Sequence, residues 1–230
     1  MSLSQQERPS NPAKFFMKVK SGTVSYYDKS IEQNVSVPTP LEFIVLDQVA
    51  AIKGWSDADE SMYWSNEVRS ISKDEVTVRT SKGVRETGIW KNIKGSPNIA
   101  GAKYTASIYI AHKSGEGLVI SNLALSGSSL KPWIEFTKKH RVTSSKVVIS
   151  GWADAKKGAV NYKTPIFEAV AMSDSEKQEA IALDEQLQVY LNQYFSYRSD
   201  EGGHTAIVGA SEDVILEDVD NDIDYSAIPF

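Results

Sequence analysis

Aromatic and basic side chains alternate in several short stretches of this 230-residue chain. In "AKYTASIYIAHK", residues 102–113, a period of two puts Lys103, Ser107, Tyr109 and Lys113 on one face, with Tyr104, Ala106, Ile108 and Ile110 on the other. The first set is a wet face carrying a ring between two cations. "GIWKNIK" pairs Trp90 with Lys94, "KVVISGW" pairs Lys146 with Trp152, and in "MYWSNEVRSI" Tyr63 shares a face with Arg69. Lys156 and Lys157 follow in a turn. The chemistry such sets suit is a grip on unpaired polynucleotide: Lys and Arg neutralise phosphates while bases stack on rings, at about 1–3 kcal/mol per base. Each ring has a structural alternative, because Trp and Tyr serve cores more often than base platforms. Trp133, on a helical stretch, reads as core.

Signatures of catalysis are missing from the sequence. There is no Gly-x-x-x-x-Gly-Lys phosphate loop, no His-Glu-x-x-His, no Gly-x-Ser-x-Gly and no glycine-rich dinucleotide fingerprint. His112, His140 and His204 stand far apart in unlike contexts, which argues against a triad or a histidine metal site. Asp57, Asp59 and Glu60 resemble the opening of a calcium loop, but the glycine and late glutamate of that loop are absent, so a solvated acidic loop is expected. Cysteine is absent too, which removes disulfides and thiolate sites and fits a reducing compartment. A protein that is not an enzyme, with no cofactor and no metal, is the expectation.

The elements that must position these residues are mostly strands. "FFMKVKSGTVSYYD" breaks at Ser21-Gly22, and "PLEFIVLDQVAAIKGW" is a long apolar run rich in β-branched and aromatic residues. "MYWSNEVRSI" and "EVTVRTSKG" suggest a hairpin around Ser72-Lys73-Asp74; "AKYTASIYIAHK" and "GLVISNLAL" follow. One helix then interrupts: Pro132 suits a first turn, Trp133 and Phe136 give an apolar side, and Lys138, Lys139, His140 and Arg141 suit a last turn. A closing hairpin follows around Ala155-Lys156-Lys157-Gly158. Ser173 and Glu176 form a capping box for a second helix whose stripe is Leu183, Leu187, Tyr190, Leu191 and Tyr194. That stripe packs on its own domain or, alternatively, makes a homo-oligomer contact.

Strands, one helix, then a hairpin is the order of a five-stranded OB barrel, which binds through its second and third strands and its long loops. The expected fold is therefore mainly β: an elaborated OB-fold-like barrel with one helix before the last hairpin, a C-terminal helix and a disordered acidic tail. The boundaries are a flexible leader at 1–13, a nucleic-acid-binding domain at 14–173, the helix at 174–198 and the tail at 199–230. No apolar run approaches the roughly 20 residues that span a bilayer, and the N-terminal residues lack a signal-peptide pattern, so a cytoplasmic protein without a membrane is expected.

Charge separates body from tail. Residues 199–230 hold nine of the 30 acidic residues and no Lys or Arg, whereas 14–173 hold 22 basic against 15 acidic residues. The chain closes on "EDVDNDIDYSAIPF". An acidic run before Ile-Pro-Phe resembles the C-terminal tip of bacterial and phage single-stranded DNA-binding proteins, through Asp220, Asp222, Asp224, Ile228, Pro229 and Phe230. Tyr225-Ser226-Ala227, between the acids and the tip, departs from that pattern. The resemblance implies a protein that coats single-stranded DNA and recruits replication, recombination and repair proteins through its tip, in a divergent, phage-like version acting in a bacterial cytoplasm. The alternative is an interaction or structural module whose acidic tail solubilises it.

Overall fold

The computed structural model describes residues 10–115 and 117–200. Its strands are β1 (Phe15–Lys20), β2 (Thr23–Asp28), β3 (Gln33–Val37), β4 (Leu41–Ser56), β5 (Ser61–Ser65), β6 (Glu75–Thr80), β7 (Gly83–Ile89), β8 (Ala102–Ser114), β9 (Gly117–Ser126), β10 (Lys146–Lys157) and β11 (Val160–Val170). Helices α1 (Trp90–Ile93), α2 (Leu130–Lys139) and α3 (Asp174–Asp200) complete it. The protein is mainly β, built on one mixed sheet ordered β3-β2-β1-β9-β8-β4-β5-β6-β7.

β4 organises the sheet because it is long enough for three partners. Phe43–Gly54 pairs with β8, Leu41–Ile44 pairs with β10 on the other edge, and Lys53–Ser56 pairs with β5. Alternation sends Phe43, Val45, Ala50 and Ile52 to an inner face, where they meet Tyr104, Ile108 and Ile110 of β8 and Leu123 and Leu125 of β9. Helix α2 closes this core: Trp133 and Phe136 pack on Phe167 of β11 with ring centroids 5.1 and 5.8 Å away. Pro132 sits in its first turn and Lys138 and Lys139 in its last, as the sequence suggests.

The sheet does not close into a barrel. Among the described residues β11 is hydrogen-bonded to β10 alone, and β3 and β7 end the path, so the sheet is open. The two flanks nevertheless approach each other. A Cβ added at Gly22, in the β1–β2 turn at φ +76°, would lie 2.6 Å from Cδ of Lys163 on β11, so this turn needs glycine both for its dihedral and for the contact. Beyond the four-residue pairing with β4, β10 and β11 continue as a two-stranded ribbon ending at Lys157 and Val160.

Helix α3 covers the opposite, outer face of the sheet. Its capping box forms in both directions: Ser173 N–H donates to Glu176 Oε2 at 2.8 Å and Glu176 N–H donates to Ser173 Oγ at 3.3 Å. Leu187, Tyr190 and Leu191 pack on Val49, Tyr109 and Ile120, and each buried leucine contributes about 1.5–3 kcal/mol. Polar contacts fix its direction: Gln188 donates to Asp47 at 2.9 Å and the Tyr194 hydroxyl accepts from Glu67 N–H at 2.9 Å. Asn11 and Ala13, assigned by sequence to the leader, belong to the packed body, with Asn11 donating to the Tyr109 hydroxyl at 3.0 Å. No described helix is long and apolar enough to cross a membrane.

Candidate nucleic-acid interface

Four cross-strand neighbours on the outer face define the site. The registers Lys53↔Lys103, Lys53↔Trp64 and Trp64↔Arg79 line up one residue from each of β8, β4, β5 and β6. The row therefore reads Lys103, Lys53, Trp64, Arg79, perpendicular to the strands. Trp55, two residues along β4, faces the same way and pairs with Met62. All six side chains belong to half-buried residues. This is one cationic surface with two indole rings.

The row brings two lysines face to face across β4 and β8. Lys53 and Lys103 stand directly opposite, and like charges so placed destabilise an antiparallel pair. Burial pushes the Lys53 amine below the ordinary lysine value, and the Glu67 carboxylate only partly opposes this. Glu67 has other engagements: it accepts from the Ser107 hydroxyl at 2.7 Å and from the Tyr109 hydroxyl at 2.9 Å.

No family model, curated protein or solved structure matches this chain. The site accordingly stands on its geometry.

The residues expected from sequence fare unevenly. Lys103 lies in the row. Tyr109 does not serve as a platform: it is fully buried beneath α3, and burial, then the Glu67 charge, hold its hydroxyl far above the usual tyrosine range. Tyr63 points into the core, with its hydroxyl donating to the Asn98 carbonyl at 3.2 Å; its neighbour Trp64 takes the outer position. Arg69 is bound to Asp47 at 2.6 Å and lies over the Phe195 ring at 5.0 Å, so it helps seat α3 instead of flanking Tyr63. Trp90 opens α1 and is buried, while Lys94 caps that short helix and is exposed. What reads as a strand in "GIWKNIK" is a helical turn, and the pair shares no binding face.

On β10 a bulge between Ile149 and Gly151 switches the alternation. Trp152 consequently packs against the main core, while Lys146 faces the other way. Lys146 is bound to Glu42 at 2.8 Å and Glu176 at 2.9 Å, which hold its amine above the ordinary value and neutralise its charge. Lys156 and Lys157 are exposed at the end of the ribbon, and Lys113 is exposed at the far end of β8. Asp220, Asp222, Asp224, Ile228, Pro229 and Phe230 lie outside the described residues.

Sequence reasoning missed Lys53, Trp55, Trp64 and Arg79. Lys53 and Trp55 close an apolar run that reads as core. "MYW" offers two rings with opposite parity, and no local signal says which faces inward. The acidic loop lines a cleft of about 560 Å³ with Tyr63, Arg85, Pro97 and Asn98. There Asp59 is bound by Thr80 at 2.6 Å and forked by Arg85, which hold its carboxyl below the usual range. Its charge is already answered within the protein.

Proposed function

We propose that the protein binds single-stranded DNA without sequence preference through the Lys103, Lys53, Trp64, Arg79 row, and that its acidic segment with Ile228, Pro229 and Phe230 recruits replication and recombination proteins. The observation that carries this is the row itself: a half-buried tryptophan between cations contributed by neighbouring strands, on the outer face of the sheet. Stacking on Trp64 or Trp55 accepts any base, because every base has a π-face. Duplex DNA keeps its bases stacked inside and offers only phosphates, so single strands are favoured. We read the body as a divergent OB-type fold: β4 shared by β8 and β10, with α2 between β9 and β10, follows that connectivity, and OB barrels can be partly open. The ribbon bearing Lys156 and Lys157 would then correspond to a loop that embraces the strand.

Titration of intrinsic tryptophan fluorescence with oligo-dT tests the proposal. Trp90 and Trp133 are buried, so strong quenching must come from the half-buried indoles. Quenching by single strands that exceeds that by duplex, and that is reduced in Trp64→Ala, is the expected result. No response at low salt would indicate the interaction-module alternative.

A further inference from the structure

The same sheet face carries a second pair of exposed rings, on β1 and β2. Phe16 is 53% exposed and Tyr27 40% exposed. The register Met17↔Tyr26, with Met17 buried, sends Phe16 and Tyr27 together to the outer face. Lys18 and Lys20 follow Phe16 on that face by alternation. It shares the outer face with the tryptophan row, the buried Ser107 and Thr105 of β8 lying between the two. Lys18 pairs with Ala124 of β9, Ala124 pairs with Ser107 of β8, and Lys103 lies four residues along the same face. Residues 14–29 contain four lysines and a single acid, Asp28.

We propose that this part of the meander is a second station for the same single strand, with Phe16 and Tyr27 taking bases and Lys18 and Lys20 facing its phosphates. The proposal rests on the single-strand reading above and makes the binding site bipartite. A protein partner fits the surface less well, since the cores of protein interfaces are depleted of lysine, whereas rings among cations are the pattern that single strands select. Spacing adds a consequence. From β1 to β5 is four strand steps, about 19 Å, and from the level of Phe16 to that of Trp64 is about six residues along the strands, roughly 20 Å. A strand must bridge about 28 Å to use both stations, so short oligonucleotides should occupy only one.

The test is the binding of dT oligomers of graded length to the full chain and to Phe16→Ala/Tyr27→Ala. Both rings are exposed, and an unchanged melting temperature confirms that the variant folds. The wild type should gain affinity in a step once the oligomer spans both stations. The variant should lose that step, binding long oligomers about tenfold or more weakly and short ones as before. Lys18→Glu/Lys20→Glu should lose it as well. A variant that keeps the step, while Trp64→Ala still weakens every length, would overturn the second station and leave the first. Absence of binding at all lengths by the wild type would remove both. A scattering mass that halves in the ring variant with the length profile unchanged would instead assign this face to a second copy of the chain.

Discussion

Replacing Trp64 with alanine should lower single-strand affinity and leave its salt dependence alone, whereas Lys103→Ala should also flatten the salt dependence. The magnitudes follow from the row. Loss of one stacked base costs about 1–3 kcal/mol, or about 5- to 150-fold in Kd. The three cations of the row, if each meets one phosphate, give a log–log salt slope of about −2.1, at about −0.7 per contact on single strands. Between about 50 and about 200 mM salt, wild-type affinity should then fall about 18-fold through this row, and that of Lys103→Ala about 7-fold. Fluorescence anisotropy of a labelled dT oligomer at several salt concentrations measures both quantities, with thermal melts confirming the fold of each variant. A Trp64→Ala protein that binds within about twofold of wild type, or a Lys103→Ala protein with an unaltered slope, would refute the assignment.

Other positions make separate predictions. Leu187→Ala removes a fully buried side chain from the α3 interface and should cost about 2–5 kcal/mol in urea denaturation, with loss of amide protection concentrated in α3. Lys53→Met should raise the melting temperature at neutral pH while weakening oligo-dT binding. A lysine whose folded pKa lies below its unfolded value binds fewer protons in the folded state, so its penalty is full below the folded pKa. The penalty shrinks as pH rises toward 10.5, and the gain from Lys53→Met should shrink with it. For Glu176 the sign is reversed. The Ser173 N–H and the Lys146 amine hold its carboxyl down at about 2 from an ordinary 4.5, so it stabilises above 4.5 and that contribution is lost as pH falls toward 2. Glu176→Gln should therefore lose stability at pH 7 and show a shallower decline across that acid window in pH-dependent melts.

Much of the architecture was legible where local chemistry decides the outcome. Ser173 and Glu176 announce the start of α3, and the stripe through Leu187, Tyr190 and Leu191 announces its buried side. Pro132 and the terminal lysines do the same for α2. The sheet faces were legible only as alternatives. The Ser107–Tyr109 face of β8 reads as polar and is polar, with Asn122 donating to Ser107 at 2.8 Å, but only the docking of α3 from far along the chain decides that it is covered. Tyr63 and Trp64 differ by one position and hence by one face, and a distant carbonyl, that of Asn98, accepts the tyrosine hydroxyl in the core. Trp152 was misplaced by a bulge, which shifts parity without a reliable mark in sequence. Aromatic and basic alternation was thus a sound guide to the kind of surface and a poor guide to its members. Phe16, Lys18 and Lys20 show the same alternation as the stretches singled out, yet "FFMKVK" reads as ordinary strand.

The central claim is that an unpaired strand lies on the outer face of β4, β5, β6 and β8. Photo-crosslinking with dT oligomers carrying 5-iodouracil, followed by mass spectrometry of the attached peptides, tests it most directly. Adducts on Trp64 or Trp55, absent when duplex replaces single strand, are the predicted result. Adducts confined to other surfaces, such as the α2 C-terminus with Lys138, Lys139 and Arg141, would contradict it.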